Sequence, residues 1–438
     1  MSAIRNFFAR LWPRSFASRS FLVLLGFGFL IRLSVAPHVY PHLVDFSSWV
    51  QWGEDLYAHG FAHFYERVHT DRLPGGILNL LWVLAFTRHT FPFLSNELLY
   101  KLPSHIAEMV LAYLIFRHVA THWGRERAVV ASALYFFNPF TWFISSVWAQ
   151  MDAVQALLLV LTLQWYLRGY VVLSGIVFAY AFLFKPHSVV IAPLLLVISW
   201  LRRSSLRSFI FEISLGTLSV LGMLWSSSFP FLVGRLVSLR PISFFTFWTE
   251  PLRFVWERYV VAYDLFPYTS LNAFNIWNAL AGNWQPDSVQ FLGVSYRFWG
   301  VALFLLFSGT LLVLLVTSRR RSFTVSPTHY YVSAALLVLF AFTFLTRAHD
   351  RHIFPFFGLF AFGFFVNRAY AWSYVLMTML SLLELTAYYQ SMWGIYTIRP
   401  IIGRAVGEFL SFIPVLVSCA LLYTFGGTLR KSKQSSRV

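Results

Sequence analysis

Cysteine is almost absent: the chain of 438 residues contains one, Cys419, inside an apolar run. That excludes disulfides and cysteine-based metal sites, and the thiol is expected to be a small buried hydrophobe. Charge is scarce as well. Charged residues make up 12% of the chain, against about 25% in a soluble domain, so there is too little to wet a soluble surface of this size. Acidic residues number 17 against 34 Lys and Arg. Lysine itself occurs only at Lys101, Lys185, Lys431 and Lys433. There is no N-x-[ST] acceptor, no H-E-x-x-H, no P-loop and no G-x-S-x-G. An intramembrane metalloprotease, a nucleotide-driven pump and a serine hydrolase are thereby disfavoured.

What the chain has in abundance is grease. Apolar residues reach 58%, in continuous rather than alternating runs, so the class is an all-α polytopic membrane protein. Runs of helical length fall near 21–36, 99–117, 128–147, 152–168, 170–184, 186–201, 206–232, 296–317, 328–346, 352–366, 371–388 and 406–425. These predict about 12 transmembrane helices in a single domain over 1–438. The dense basic stretches are the N-terminus with Arg5, Arg10, Arg14 and Arg19, then 117–127, 201–207, 318–321 and the tail at 426–438. Twelve spans put all of them on the cytoplasmic side, with both termini inside. The first run is expected to remain as a signal anchor. Residues 75–90 are too short to span and would invert the topology, so they are read as an interfacial piece. A long first outer loop then covers 37–98, and a second, rich in aromatics, covers 233–295. The net charge of +17 suits contact with anionic lipid, and no soluble basic face offers itself to nucleic acid.

With this topology the ionisable groups inside or beside the apolar runs gather on the outer side. Arg32 ends the first run. Asp45 opens DFSSWVQWGEDL, whose Trp49, Trp52 and Leu56 share one face of an interfacial helix; the rival reading of Asp45 is an N-cap. Glu54 and Asp55 are read as solvated, and ERVHTDR (66–72) follows. Trp148, Gln150 and Asp152 form one outer turn, Lys185 and His187 another. Thr346 to His352 form the third, with Arg347, His349, Asp350, Arg351 and His352. Lys185 beside Pro186 reads as an anion ligand. Arg347 and Arg351 lie one helical turn apart, a spacing that suits a phosphate clamp. His349 and His352 lack a third ligand, so no metal is expected. Lys101, His105 and Glu108 share a helical face and are expected to pair with one another.

One or two carboxylates, several cations and a lipid-accessible wall suit one reaction in particular. Cations hold a lipid-linked phosphate, and a carboxylate deprotonates a hydroxyl nucleophile. Phosphate is a good leaving group, so one base suffices and in-line attack inverts the anomeric centre. Four segments then carry a resemblance that spans nearly the whole chain. DFSSWVQW resembles the first-loop aspartate motif of the GT-C superfamily of polyprenyl-phosphate-sugar-dependent glycosyltransferases. NPFTWFISSVWAQMDAV (138–154) resembles its W-G-Q-x-D segment, with Ala149 where glycine is usual. FLFKPHSVVIAP (182–193) resembles its F-K-Q segment, with Pro186 for glutamine. TRAHDRHIFP resembles its M-H-E-R-Y segment, with Asp350 for Glu and His352 for Tyr. Within the superfamily the chain looks most like bacterial relatives of the GPI mannosyltransferase II, and more distantly like dolichyl-phosphate-glucose glucosyltransferases.

The resemblance implies a GT-C-like bundle, interfacial helices in the first loop and no metal or other cofactor. It implies mannose as the donor hexose and Asp45 as the catalytic base. Arg32, Lys185, His187, Arg347, His349 and Arg351 are the expected donor-phosphate ligands. Trp148, Gln150, Asp152, Asp350 and His352 are expected to touch substrate. The acceptor would be an envelope glycan, lipid or protein at a bacterial inner membrane. The rivals are a lipid-linked-glycan flippase or transporter, whose polar groups belong at the bilayer midplane, a polysaccharide polymerase or ligase, and a non-catalytic assembly subunit.

Overall fold

The computed structural model describes residues 16–39, 41–203, 205–238, 243–320, 325–392 and 404–431. Arg5, Arg10, Arg14, Arg321 and Lys433, on which part of the topology argument rested, lie outside the described residues. The chain is an all-α membrane protein, about 79% helical. The main helices are α1 (Phe16–Val35), α2 (Leu43–His59), α3 (Ile77–Thr90), α4 (Asn96–Trp123) and α5 (Arg125–Phe136). Then come α6 (Asp152–Leu167), α7 (Val171–Phe184), α8 (Ala192–Arg202), α9 (Leu206–Ser238) and α10 (Phe244–Asp264). The last five are α11 (Tyr296–Arg320), α12 (Pro327–Phe344), α13 (Phe354–Phe360), α14 (Arg368–Met392) and α15 (Ile413–Lys431).

Every apolar run of the sequence overlaps a helix among the described residues. Length divides them. Among the described residues, six helices are long and apolar enough to cross a membrane, in α1, α4, α9, α11, α12 and the segment ending in α15. A seventh would be α5 joined to Pro139–Val147, which bends by 41° at the break. The break has a local cause. Pro139 has no N–H to continue the ladder, and Asn138 starts a new helix by accepting from the Phe140 and Thr141 amides at 2.9 and 3.3 Å. α6, α7, Pro186–Arg202 and Phe354–Gly363 are apolar but shorter.

α12 is the axis of the bundle, with 89% of its apolar window buried, whereas the window in α9 is only 6% buried. Leucines such as Leu218, Leu305 and Leu306 therefore point outward. In water that would be costly, but hydrocarbon removes the penalty. Cys419 follows the same rule: it lies exposed on α15 rather than buried, because a lipid-facing position suits a small hydrophobe equally well. α15 also runs to Lys431, so helix extends into the expected tail.

A second, smaller core underlies the loop between α1 and α4. α2 buries Trp49 and Leu56 against Leu78 and Leu81 of α3, with Tyr100 of α4 and Phe184 of α7 completing it. α3 is 14 residues long and packs on α2. Gly76, just before α3, has φ +50°, and a Cβ there would sit 2.4 Å from the Leu183 carbonyl oxygen. Glycine alone lets this loop seat against the end of α7.

The second large loop is likewise structured. Strand β1 (Ser270–Leu271) and the hairpin of β2 (Gln290–Phe291) with β3 (Val294–Ser295) lie within it. β1 pairs in parallel with β4 (Ala348–His349), in register Ser270 to Ala348. The 346–353 turn is thus pinned by a strand pair rather than coiled into helix.

Candidate functional site

Asp45 lies in the first turn of α2, but it does not cap that helix. His42 does: its Nδ1 accepts from the Asp45 amide at 3.3 Å. The Asp45 carboxylate is left to other partners. Its Oδ2 accepts from Trp148 Nε1 at 3.1 Å and from Gln150 Nε2 at 2.5 Å. The same oxygen lies 4.0 Å from Arg351 Nη2. Arg351 also sits over the Trp148 ring, 5.3 Å from its centre, and the His42 ring stacks on Trp148 with the ring centres 5.2 Å apart. One quarter of the Asp45 side chain remains accessible.

The backbone that presents Trp148 and Gln150 is unusual. Phe143–Val147 forms a π-turn, a feature frequent at functional sites. Ala149 follows with φ +67°, a conformation costing an L-residue about 1–2 kcal/mol. The strain is held by the Gln150 amide, which donates to Ile144 O at 2.9 Å, and by Ser104 Oγ, which donates to Gln150 O at 2.8 Å.

Burial pushes the Asp45 carboxyl up, but the Arg351 guanidinium and the Trp148 N–H outweigh it and hold it below the usual carboxylate range. His42 is held neutral by burial. Its Nδ1 lone pair is already taken by the Asp45 amide, so its 3.6 Å approach to Oδ2 is a polar contact and Arg351 supplies the charge.

Next to this pair lies a second. Lys185 Nζ donates to Asp152 Oδ1 at 2.6 Å, with both side chains buried. Burial pushes the Lys185 ammonium down to about 8 despite the pull of Asp152. Asp152 is therefore a salt-bridge partner, not a helix cap. His187 Nε2 contacts Gln155 Oε1 at 3.0 Å, and its ring lies 4.3 Å from that of His352. The rings of His352 and His349 are 5.0 Å apart. Burial and the Arg351 charge keep His349 far below its ordinary value, so it is neutral. Asp350 is buried beside Arg351, accepts from the Arg351 amide at 2.8 Å, and is pushed up to about 6 by burial. No group of three or more metal-ligating side chains with suitable geometry occurs among the described residues.

The structure thus brings together Asp45, Trp148, Gln150, Asp152, Lys185, His187, His349, Asp350, Arg351 and His352. Two expected phosphate ligands are committed elsewhere. Arg347 Nε donates to Asp287 at 2.7 Å and Nη1 to Asp264 at 3.2 Å. The expected Arg347–Arg351 clamp assumed a helical turn, and the strand pairing of β4 gives the two side chains different partners. Arg32 Nε donates to Glu108 at 2.8 Å, and its guanidinium also bonds the Phe136 carbonyl and lies 4.0 Å from the Phe136 ring centre. Lys101, His105 and Glu108 do not pair mutually. Lys101 Nζ donates to Ala36 O at 2.9 Å and Val39 O at 2.6 Å, His105 contacts Ser146 at 3.1 Å, and Glu108 takes Arg32. Each turns to a neighbouring element because α4 is surrounded by them. Near the surface Glu54 is hydrogen-bonded to His89 at 2.7 Å, and Asp55 is ion-paired with Arg67 at 2.9 Å.

Sequence reasoning missed His42, Arg72 and Asp287. His42 stands three residues before Asp45, the spacing of a cap, which was a usable signal. Arg72 was visible only as part of a charged run. Asp287 carried no local signal.

No protein-family model matches the chain, and no curated protein matches it.

Proposed function

We propose that the protein transfers a hexose, with mannose the first candidate, from a polyprenyl-phosphate carrier to an acceptor hydroxyl at the extracytoplasmic face. The acceptor oxygen attacks the anomeric carbon while the bond from that carbon to the phosphate oxygen breaks. The electron pair leaves with the polyprenyl phosphate, the hydroxyl proton passes to Asp45, and the anomeric centre inverts. One observation carries the reading: the Asp45 carboxylate, oriented by Trp148 and Gln150, stands 4.0 Å from Arg351. A base beside a cation, at a loop-covered end of a lipid-facing bundle, matches a nucleophile that loses a proton next to a departing phosphate. Donor binding would also sharpen the base. Phosphate on Arg351 competes for the charge that holds Asp45 low, so its proton affinity rises as substrate arrives.

This reading carries with it a GT-C-like bundle of about 12 spans, both termini cytoplasmic and a bacterial inner membrane. The order of the four motifs supports these features, as does the shared side of their residues. A carrier for anionic lipid is the second reading; the buried Arg32–Glu108 pair favours it, since charge inside a span often marks a path. The deciding experiment is incubation of the purified protein with a panel of polyprenyl-phosphate sugars and crude envelope acceptors, measuring polyprenyl phosphate released. Release with one sugar supports transfer. Vesicle flux of labelled lipid without release would replace transfer with transport.

A further inference from the structure

Lys185, Arg32 and Arg347, three cations expected to hold phosphate, already hold carboxylates at 2.6, 2.8 and 2.7 Å. Arg72 stands differently. It lies in the loop between Phe64–Arg67 and α3, and that loop is anchored along its length. Tyr65 Oη donates to Arg72 O at 2.9 Å, and the Arg72 amide donates to Thr70 Oγ1 at 3.2 Å. Arg258 of α10 bonds Thr70 O and lies 4.4 Å from the Tyr65 ring centre. Tyr180 Oη donates to Gly76 O at 2.9 Å. Gly75 and Gly76 close against Ser227 and Leu183, which places the loop at the end of α7, where Lys185 follows.

The side chain so positioned makes little use of its donors. It is three-quarters buried, with 25% exposed, yet its Nε has no hydrogen-bond partner. Asp71 Oδ1 lies 3.3 Å from that nitrogen, off the N–H direction. Arg72 interacts electrostatically with Asp45, Lys185 and His349, and Asp71 with Arg351. Asp71 therefore lies within the field of two guanidinium groups, where an anion is favoured.

We propose that Arg72 and Arg351 are the guanidinium pair that grips the donor's lipid-linked phosphate, and that Asp71 occupies part of that position until the donor arrives. The planar fork of arginine matches phosphate oxygens in a way a lysine already paired with Asp152 does not. The inference rests on the donor reading above and adds a ligand that none of the four motifs contains.

The test compares binding of polyprenyl phosphate and of uncharged polyprenol to the full chain in detergent, and reads their affinity ratio. A ratio within one variant is insensitive to a partly unfolded sample. The wild type is expected to prefer the phosphate. Arg72→Gln should lower that preference about tenfold to a hundredfold, as loss of a charged hydrogen bond does, and Arg72→Lys should fall between. Asp71→Asn should raise it, a gain that a purely structural role for the loop would not give. If the wild type shows no preference, the donor reading of the whole site fails. If it does and Arg72→Gln and Arg72→Lys both keep it in full, the assignment of Arg72 alone fails. A fall in Asp71→Asn would remove Asp71 from the anion's place. Inorganic phosphate is the competitor; displacement at equal concentration would show a free-phosphate site and overturn the lipid assignment.

Discussion

Lys185 Nζ and Asp152 Oδ1 stand 2.6 Å apart, the ammonium 9% exposed and the carboxylate fully buried. The pair joins the loop after α7 to the start of α6, so each charge is the other's main compensation. Removing one partner of a buried pair costs about 3–5 kcal/mol. Lys185→Ala should therefore lower the melting temperature in detergent as well as any activity. The double variant Lys185→Met with Asp152→Leu should recover most of the stability. An unchanged melting temperature for Lys185→Ala would show that the pair contributes little to the fold.

Asp45→Asn should abolish sugar transfer while leaving the melting temperature close to wild type, since the amide still fits between Trp148 and Gln150. Loss of a positioned base costs about 10²–10⁴-fold in rate. Because Asp45 lies below the ordinary carboxylate range, it stays ionised down to mildly acidic conditions. The rate at limiting donor, which reports the free protein, should be insensitive to this group between about pH 6 and 8. Wild-type rate in Asp45→Asn would remove this residue from the chemistry.

Much of this site was legible in the sequence for one reason. In a chain with 12% charge, a polar residue inside grease is conspicuous, and Asp45, Gln150, Asp152, Lys185 and Arg351 do meet. What could not be read was how the charges pair. Arg347 and Arg351 look equivalent in TRAHDR, but Asp287, in another loop, takes the first while Asp45 faces the second. Pairing depends on contacts between distant loops, which periodicity does not encode. The helices were legible because continuous apolar runs demand internal hydrogen bonding. The number of spans was less so, since α6, α7 and α13 are apolar enough but short. Cys419 shows the same limit: hydropathy does not separate a core position from a lipid-facing one.

Asp350 should leave a signature in the pH dependence of stability. Its carboxyl is pushed up by burial from an ordinary 3.8 to about 6. The unfolded chain thus loses this proton first as pH rises. Between about pH 4 and 6 the folded state holds more protons, so stability falls with rising pH and the penalty is fully present above about 6. A shift of this size is worth roughly 3 kcal/mol. Asp350→Asn should flatten this part of the curve and raise stability at pH 7. A melt whose pH profile is the same in variant and wild type would contradict the assignment.

Arg347 is expected to behave as a clamp between loops. It ties the 346–353 turn to Asp287 and Asp264 and lies 4.0 Å from the Tyr263 ring centre. Arg347→Gln leaves the nearly buried Asp287 without its cation, so stability should fall by about 3 kcal/mol or more. Donor affinity in the folded fraction should change little. Measured by titration with polyprenyl phosphate, a large loss of affinity without loss of stability would return Arg347 to the phosphate site.

Ala149 offers the most direct check on the geometry of the base. With φ +67° it pays about 1–2 kcal/mol for its Cβ, and glycine would remove that strain. Glycine also adds about 0.4–1 kcal/mol of unfolded-state entropy to be overcome. The two nearly cancel, so Ala149→Gly should melt within about 1 kcal/mol of wild type. Activity should be retained, because Trp148 and Gln150 keep their bonds to Asp45. Ala149→Val puts a branched side chain on the same backbone and should destabilise by more than 1 kcal/mol and reduce transfer with it. The pair separates strain from side-chain chemistry: a tolerated valine would mean that the turn opens easily and does not fix the carboxylate.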